Sequence, residues 1–153
     1  MKRNTKAVGD FSEAVVLAEL IQAGYKVSLP FGEDQRYDLI LDNKGVLSRV
    51  QVKTGRLRNG AILFNCYSVH ADREERLRTY RGAVAFFGVY CPGIAGAYLI
   101  PVEEVPSTCN ASIRFTPSKN GQYSRVKWTR RYLISNKSAS GLQSPDSRDA
   151  QGI

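Results

Sequence analysis

Three polar residues occur close together in a segment whose pattern is typical of a β-hairpin. Gln51 and Lys53 are two positions apart in a strand-like run, so their side chains should project from the same face. A turn before that run would bring Asp38, in the preceding strand, back beside them. Carboxylate and amide oxygens suit Mg²⁺, and a neighbouring lysine can polarise an attacking water or stabilise phosphoryl charge. These residues therefore indicate metal-assisted phosphoryl chemistry.

Other catalytic chemistries find little support in the sequence. His70 is the single histidine, which rules out a histidine-rich metal site, and no GxSxG elbow accompanies it. The glycine-rich stretch at 93–96 lacks the Gly-Lys-Ser/Thr of a phosphate-binding loop. The three cysteines are widely spaced and form no CxxC pair, so they predict reduced thiols and no zinc site.

The elements that must position the polar residues follow from periodicity. Apolar residues at helical spacing predict a helix over 10–23, with Asp10 as its N-cap and Gly24 as its stop. The hairpin comprises strands at 37–41 and 46–54. Further predictions are strands at 25–29, 61–67, 83–90 and 97–102, a basic loop at 55–60, a short helix at 71–80, and small strands at 113–116 and 125–128. This order indicates a mixed α/β domain around a central sheet.

The chain length favours one domain, which we place at 1–134. The Ser-, Gly- and Asp-rich stretch at 135–153 is predicted to be a disordered tail. No apolar run is long enough to span a bilayer, and no apolar segment follows the basic N-terminus as in a secretory signal. With the unpaired cysteines, this indicates a cytoplasmic protein, or one of an organellar matrix in a eukaryote, without a membrane partner.

The net charge of +8 indicates a polyanionic partner, and nucleic acid is the commonest one. A solvated basic surface without any partner is the alternative explanation of the same charge. The candidates for DNA contact are basic or polar residues in or beside predicted turns and the hairpin: Arg36, Thr54, Arg56, Arg58, Lys119, Lys127, Arg130 and Arg131.

Beyond this chemistry, the sequence resembles a known family. The Asp–x12–Gln–x–Lys arrangement of Asp38, Gln51 and Lys53, after a helix carrying Glu13, is similar to the motif of PD-(D/E)XK nucleases. It most resembles intron-encoded homing endonucleases in which glutamine replaces the middle acidic residue. The similarity extends through 30–32, 36–39, 49–54, 89–92, 98–101 and 117–122.

The resemblance implies a restriction-endonuclease-like α/β core with a central mixed sheet flanked by helices. It also implies site-specific, homing-type hydrolysis of double-stranded DNA with Mg²⁺, for which Mn²⁺ can substitute. Asp38, Gln51 and Glu13 would bind the metal, and Lys53 would be the catalytic lysine. Two features depart from the common pattern: Tyr37 stands where proline is frequent, and Gln51 is neutral.

Alternatives remain at two levels. Glu13 lies three residues after Asp10, a spacing that also fits a capping box. The whole chain could be a structure-selective nuclease similar to Holliday-junction resolvases, or a catalytically inactive DNA-binding protein with the same fold.

A domain of this size spans about 11 bp, and one chain carries one site, so cutting both strands predicts at least a homodimer. The resemblance suggests a homotetramer.

Overall fold

The computed structural model describes residues 4–69, 77–121 and 126–136. The elements, in chain order, are α1 (Thr5–Gln22), β1 (Lys26–Ser28), β2 (Leu39–Asn43), β3 (Val46–Thr54), β4 (Arg56–Arg58), β5 (Ala61–Asn65), β6 (Tyr67–Val69), β7 (Leu77–Thr79), β8 (Phe86–Cys91), β9 (Gly96–Pro101), a 3-10 helix (Val102–Glu104), β10 (Asn110–Arg114), α2 (Thr129–Tyr132) and a second 3-10 helix (Ile134–Asn136). Among the described residues, no helix has the length and apolar character needed to cross a membrane.

A five-stranded mixed sheet with the order β1-β2-β3-β8-β9 forms the centre of the fold. Strands β3 and β8 are parallel, and every other neighbouring pair in this sheet is antiparallel. The predicted hairpin is confirmed as β2 and β3, which pair with Leu39 opposite Val50. This sheet and helix α1 give the mixed α/β class expected from the sequence.

Each face of the central sheet carries a hydrophobic core. On one face, α1 packs against β3 and β8 through the fully buried Val16 and Leu20. Gly88 of β8 permits this close approach, because a Cβ there would lie only 2.7 Å from Cγ1 of Val16. On the other face lies a three-stranded sheet with the order β10-β5-β4. Its buried contacts with the central sheet include Ile62, Phe64, Phe87, Val89, Ala111 and Ile113.

The structure corrects the predicted start of the first helix. The helix begins at Thr5, and its N-cap is Asn4, whose side-chain oxygen accepts a 3.3 Å hydrogen bond from the Ala7 amide. Asp10 is therefore inside the helix, where it binds Lys6 one turn away at 3.0 Å. The first turn begins with the polar residues Thr5 and Lys6, so the apolar periodicity that predicts the helix does not reach its start.

Other boundaries also differ. The predicted basic loop at 55–60 contains strand β4 and a turn, and the predicted strand at 61–67 ends at Asn65 before β6 begins. The helix predicted at 71–80 is wrong for Leu77–Thr79, which is strand β7; residues 71–76 lie outside the described part. The small strand predicted at 113–116 is Asn110–Arg114, and Trp128 forms only an isolated bridge to Arg114.

The predicted tail lies mostly outside the described residues, at 137–153. Ser135 and Asn136, which were predicted to open it, belong to the second 3-10 helix. Ile134, in the same helix, is fully buried in the core beneath α1. The division of the chain into a domain at 1–134 and a tail remains a prediction.

Candidate active site

The Asp38 carboxylate is held by the backbone and by the next strand. Asp38 immediately precedes β2, and its amide donates a 2.9 Å hydrogen bond to the Val50 carbonyl. Its Oδ2 accepts 2.7 Å hydrogen bonds from the Val52 amide and from Nε2 of Gln51. Both of these bonds end on one carboxylate oxygen, so the group is fixed in orientation before any ligand binds.

The alternation predicted for β3 is present in the structure. Val50 and Val52 are buried on the α1 side of the sheet, whereas Gln51 and Lys53 are half-buried on the opposite face. The Gln51 side chain turns its amide nitrogen to Asp38 and, at 3.3 Å, to the Val52 carbonyl. Because the nitrogen makes these contacts, the amide oxygen is the atom with which Gln51 could bind a cation.

The Lys53 ammonium rests against Tyr80. Nζ donates a 3.3 Å hydrogen bond to the tyrosine hydroxyl and lies 4.6 Å from the centroid of the ring. The Arg36 guanidinium also lies 4.6 Å from that centroid, and its Nη2 donates to the Thr79 carbonyl at 2.8 Å. Tyr80 is thus the buried platform that positions Lys53. Sequence reasoning missed it because it lay at the end of a predicted helix, far from the motif.

Glu13 approaches the site from the helix layer. Burial raises the pKa of its carboxyl group, and the negative charges of Asp38 and Asp10 raise it further, whereas Lys6 lowers it. Burial also raises the pKa of Asp38, although the Val52 amide and Lys53 counteract this effect. Glu13 therefore lies within electrostatic range of Asp38. Its alternative role as a capping-box partner of Asp10 is excluded, because Asn4 caps the helix.

A contact between a buried and an exposed hydroxyl residue fixes α1 to the end of β3. Ser12 is 1% exposed, and its Oγ lies 2.6 Å from Oγ1 of Thr54 and 3.0 Å from the Val8 carbonyl. Ser12 precedes Glu13, and Thr54 follows Lys53, so this contact sets the spacing between the helix and strand parts of the site. A serine between apolar helix positions was the only sequence signal for it.

The chemistry of the donors fits a hard divalent cation. Within the described residues, no three His, Cys, Asp or Glu side chains form a metal-binding group. The available donors are the two carboxylates of Asp38 and Glu13 and the amide oxygen of Gln51, all of them oxygens, as such a cation prefers. The pKa values of both carboxyl groups are raised, chiefly by burial, which disfavours their ionised forms. A cation bound nearby would stabilise those ionised forms.

The predicted DNA-contact residues fall into two groups. Arg56 and Arg58 are exposed on β4, Lys119 and Arg130 are exposed elsewhere, and Lys127 is half-buried. The other three make contacts within the protein, as does the exposed Arg130, whose guanidinium lies 5.5 Å from the centroid of the Trp128 ring. Arg36 contacts Tyr80 and Thr79, the hydroxyl of Thr54 contacts Ser12, and Arg131 forms a 3.2 Å ion pair with Glu104.

Solved structures of other proteins are similar to this fold to different degrees. Among solved structures, a bacterial homing endonuclease matches with a TM-score of 0.65 and 22% sequence identity, over 86% of this chain and 89% of that chain. This likeness shows the fold. The Holliday junction resolvase Hjc of the archaeon Archaeoglobus fulgidus also matches, with a TM-score of 0.42 and 23% identity, over 69% of this chain and 83% of that chain.

At the level of sequence, the search of curated proteins finds no match. The sequence pattern of a whole family, described as PD-(D/E)XK endonuclease, matches residues 3–135 and so includes every residue of the candidate site. A match over most of the chain, together with the mixed sheet and the nuclease fold, identifies the relationship: the chain belongs to the PD-(D/E)XK endonuclease family.

Proposed function

We propose that the protein is a Mg²⁺-dependent, site-specific endonuclease that hydrolyses phosphodiester bonds of double-stranded DNA, in the manner of homing endonucleases. The observation that carries this proposal is the Asp38–Gln51 contact of 2.7 Å with Lys53 on the same face of β3. Family membership supports the hydrolytic class, and the net charge of +8 supports a polyanionic substrate.

Each residue has a definite task in this proposal. Asp38, Gln51 and Glu13 would hold the cation through their oxygens, and Mn²⁺ could replace Mg²⁺. When bound, such a cation supplies Lewis acidity and positive charge at the phosphoryl group. Lys53, positioned by Tyr80, would orient the attacking water and stabilise negative charge on the phosphoryl oxygens. The water would attack phosphorus, and the bond to the leaving oxygen would break.

The decisive experiment uses genomic DNA. Purified protein and Mg²⁺ are incubated with it, and all new ends are sequenced, with Lys53→Ala in parallel and Lys26→Ala as an exposed-lysine control. We expect double-strand ends at one or a few sites from the wild type and from Lys26→Ala. Lys53→Ala should bind DNA normally but cut at least about 100-fold more slowly, as for loss of one charge-stabilising group. Normal cutting by Lys53→Ala would refute the assignment.

One observation favours a second candidate, a DNA-binding protein without catalytic activity: the Gln51 amide already satisfies Asp38 without a cation. Thermal unfolding with increasing Mg²⁺ or Mn²⁺ separates the two functions. A nuclease should gain stability with the cation, and Asp38→Ala should abolish the gain. No cation-dependent change in the wild type, together with no new DNA ends, would support the inactive binder.

The number of sites constrains the assembly. One chain contains one candidate site, and cleavage of two antiparallel strands needs two sites related by a two-fold axis. We therefore propose a homodimer at least, with a homotetramer as a dimer of dimers. Light scattering of the protein, alone and on its cleaved DNA, measures this directly. A monomer in both conditions would contradict the proposal.

A further inference from the structure

Two cysteines lie just beyond the paired residues of strands β5 and β10. The antiparallel register places Phe64 opposite Ala111 and Asn65 opposite Asn110. Cys66 and Cys109 are the next residue on each chain segment, one step beyond the last paired residues. Both are free thiols. Directly opposed residues within such a ladder have Cα atoms about 4.5–5.5 Å apart, and a disulfide requires roughly 4.4–6.8 Å, so a pair one step beyond the ladder needs only a small movement to be joined.

The two side chains differ in burial, because Cys66 is 1% exposed and Cys109 is exposed. Phe64, Cys66 and Ala111 are all buried in one core cluster between the two sheets. Burial raises the pKa of the Cys66 thiol to about 11, the Ala111 amide lowers it, and the charge of Cys109 raises it further. The two sulfur atoms therefore lie within electrostatic range of each other.

We propose that Cys66 and Cys109 are a modification site, in which a low-molecular-weight disulfide oxidises them to an intrachain cross-strand disulfide. This inference rests on the paired residues that lie directly beside both cysteines, and it does not depend on the proposed nuclease function. The third cysteine, Cys91, is fully buried in β8 and serves as an internal reference.

The reaction has two exchange steps, and their order follows from exposure. Cys109 is exposed, so its thiolate attacks glutathione disulfide, forms a mixed disulfide and releases one glutathione thiolate. Cys66 is 1% exposed and then loses its proton to solvent as it attacks the Cys109 sulfur, which releases the second glutathione. Two protein thiols are oxidised, and one glutathione disulfide is reduced to two glutathione molecules.

The position of this pair connects it to the candidate active site. Cys66 immediately precedes β6, and β6 pairs with β7, which leads to Tyr80. Arg36 contacts both strands, through the Ser68 hydroxyl at 3.2 Å and the Thr79 carbonyl at 2.8 Å. A disulfide at Cys66 would tie the base of this hairpin to β10, close to the tyrosine that holds Lys53.

The test uses the full-length protein and glutathione redox buffers. After equilibration, free thiols are alkylated under denaturing conditions, and non-reduced peptides are analysed by mass spectrometry. We expect a peptide pair joined through Cys66 and Cys109 in the oxidised protein, with only Cys91 of the three cysteines alkylated. Glutathione in excess should restore alkylation of all three.

Two variants make the result unambiguous. Cys109→Ser changes an exposed residue and should leave both Cys66 and Cys91 alkylatable after oxidation. Cys91→Ser should retain the joined peptides, because it removes the reference cysteine only. The proposal is overturned if the wild type carries glutathione on Cys109 while Cys66 stays free, or if all cross-links join two chains. No DNA cleavage is measured, so failure of the nuclease proposal would leave this result unaffected.

Discussion

At the scale of single residues, the neutral Gln51 explains how Asp38 can be held without a bound cation. An amide donates a hydrogen bond, whereas a carboxylate at the same position could only accept one. The 2.7 Å contact between Nε2 and Oδ2 of Asp38 therefore replaces a repulsive pair with an attractive one. The cost is one negative charge fewer for attracting a divalent cation.

Gln51→Glu should remove the hydrogen bond to Asp38 and add the missing negative charge. We expect the variant to lose about 1–3 kcal/mol of unfolding free energy without cations, because two close carboxylates repel and the hydrogen bond is gone. Saturating Mg²⁺ should stabilise it more than it stabilises the wild type. Thermal unfolding with and without Mg²⁺ measures both effects, and Gln22→Glu, at the exposed end of α1, is the control. An equal response to Mg²⁺ in variant and wild type would contradict a role of Gln51 in metal binding.

Glu13→Gln should stabilise the protein at neutral pH. The pKa of Glu13 is raised in the folded state, so its ionised form destabilises that state. This destabilisation is absent below the pKa of an unfolded-chain carboxyl group and complete above the raised pKa. Melting temperatures from pH 3 to pH 7 should therefore diverge as pH rises, with the variant higher. Glu19→Gln, further along α1, is the control; equal curves for wild type and Glu13→Gln would show that Glu13 is not destabilising.

The sequence predicted part of the site for simple geometric reasons. The period of two places Gln51 and Lys53 together, and the hairpin turn returns Asp38, so these three positions follow from local rules. Tyr80 and Ser12 could not be found in this way. Their roles depend on tertiary contacts with Lys53 and Thr54, across sequence separations of 27 and 42 residues.

At the scale of elements, helix α1 packs closely against the central sheet. Gly88 of β8 faces Val16, and a methyl group there would meet Cγ1 of Val16 at 2.7 Å and Cγ1 of Val50 at 3.3 Å. Because α1 carries Glu13, the depth at which the helix sits also sets how near this carboxylate comes to Asp38. Periodicity predicted the helix but could not reveal this depth.

Gly88→Ala should lower the unfolding free energy by about 1–3 kcal/mol, because the added methyl group overpacks the interface. Chemical denaturation measures the loss. Gly9→Ala is a matched control, since nothing lies within 4 Å of a Cβ built there and the residue is exposed on α1. It should raise stability by roughly 0.5–1 kcal/mol. A Gly88→Ala protein as stable as the wild type would show that α1 can move outward without cost.

At the scale of the whole molecule, the excess positive charge should attract DNA mainly through basic side chains that no carboxylate neutralises. Arg56 and Arg58 alternate with Leu57 on β4, so both guanidinium groups project from one face, and within the described residues no carboxylate pairs with them. Arg131 differs, because Glu104 already neutralises it at 3.2 Å. The sequence shows only that all three residues are arginines; which of them pairs with a carboxylate depends on tertiary contacts.

Replacing Arg56 or Arg58 by alanine should weaken binding to all DNA sequences similarly. Each variant should also reduce the slope of log K against log salt by about 0.9 if one phosphate contact is lost. Arg131→Ala, whose charge is already paired, should change the slope less. Binding to a duplex of random sequence at several salt concentrations gives the slopes. Equal slopes for Arg56→Ala, Arg58→Ala and the wild type would move the DNA surface away from β4.

The burial of Ile134 beneath α1 links the first helix of the chain to a residue made late in synthesis. The four proposed catalytic positions all lie within the first 53 residues, yet the helix that carries Glu13 packs against a residue that is translated much later. A ribosome-bound chain therefore cannot complete the core under α1 until Ile134 has left the exit tunnel. A chain that still lacks Ile134 should therefore be unable to seat firmly the helix that carries Glu13, the proposed metal ligand.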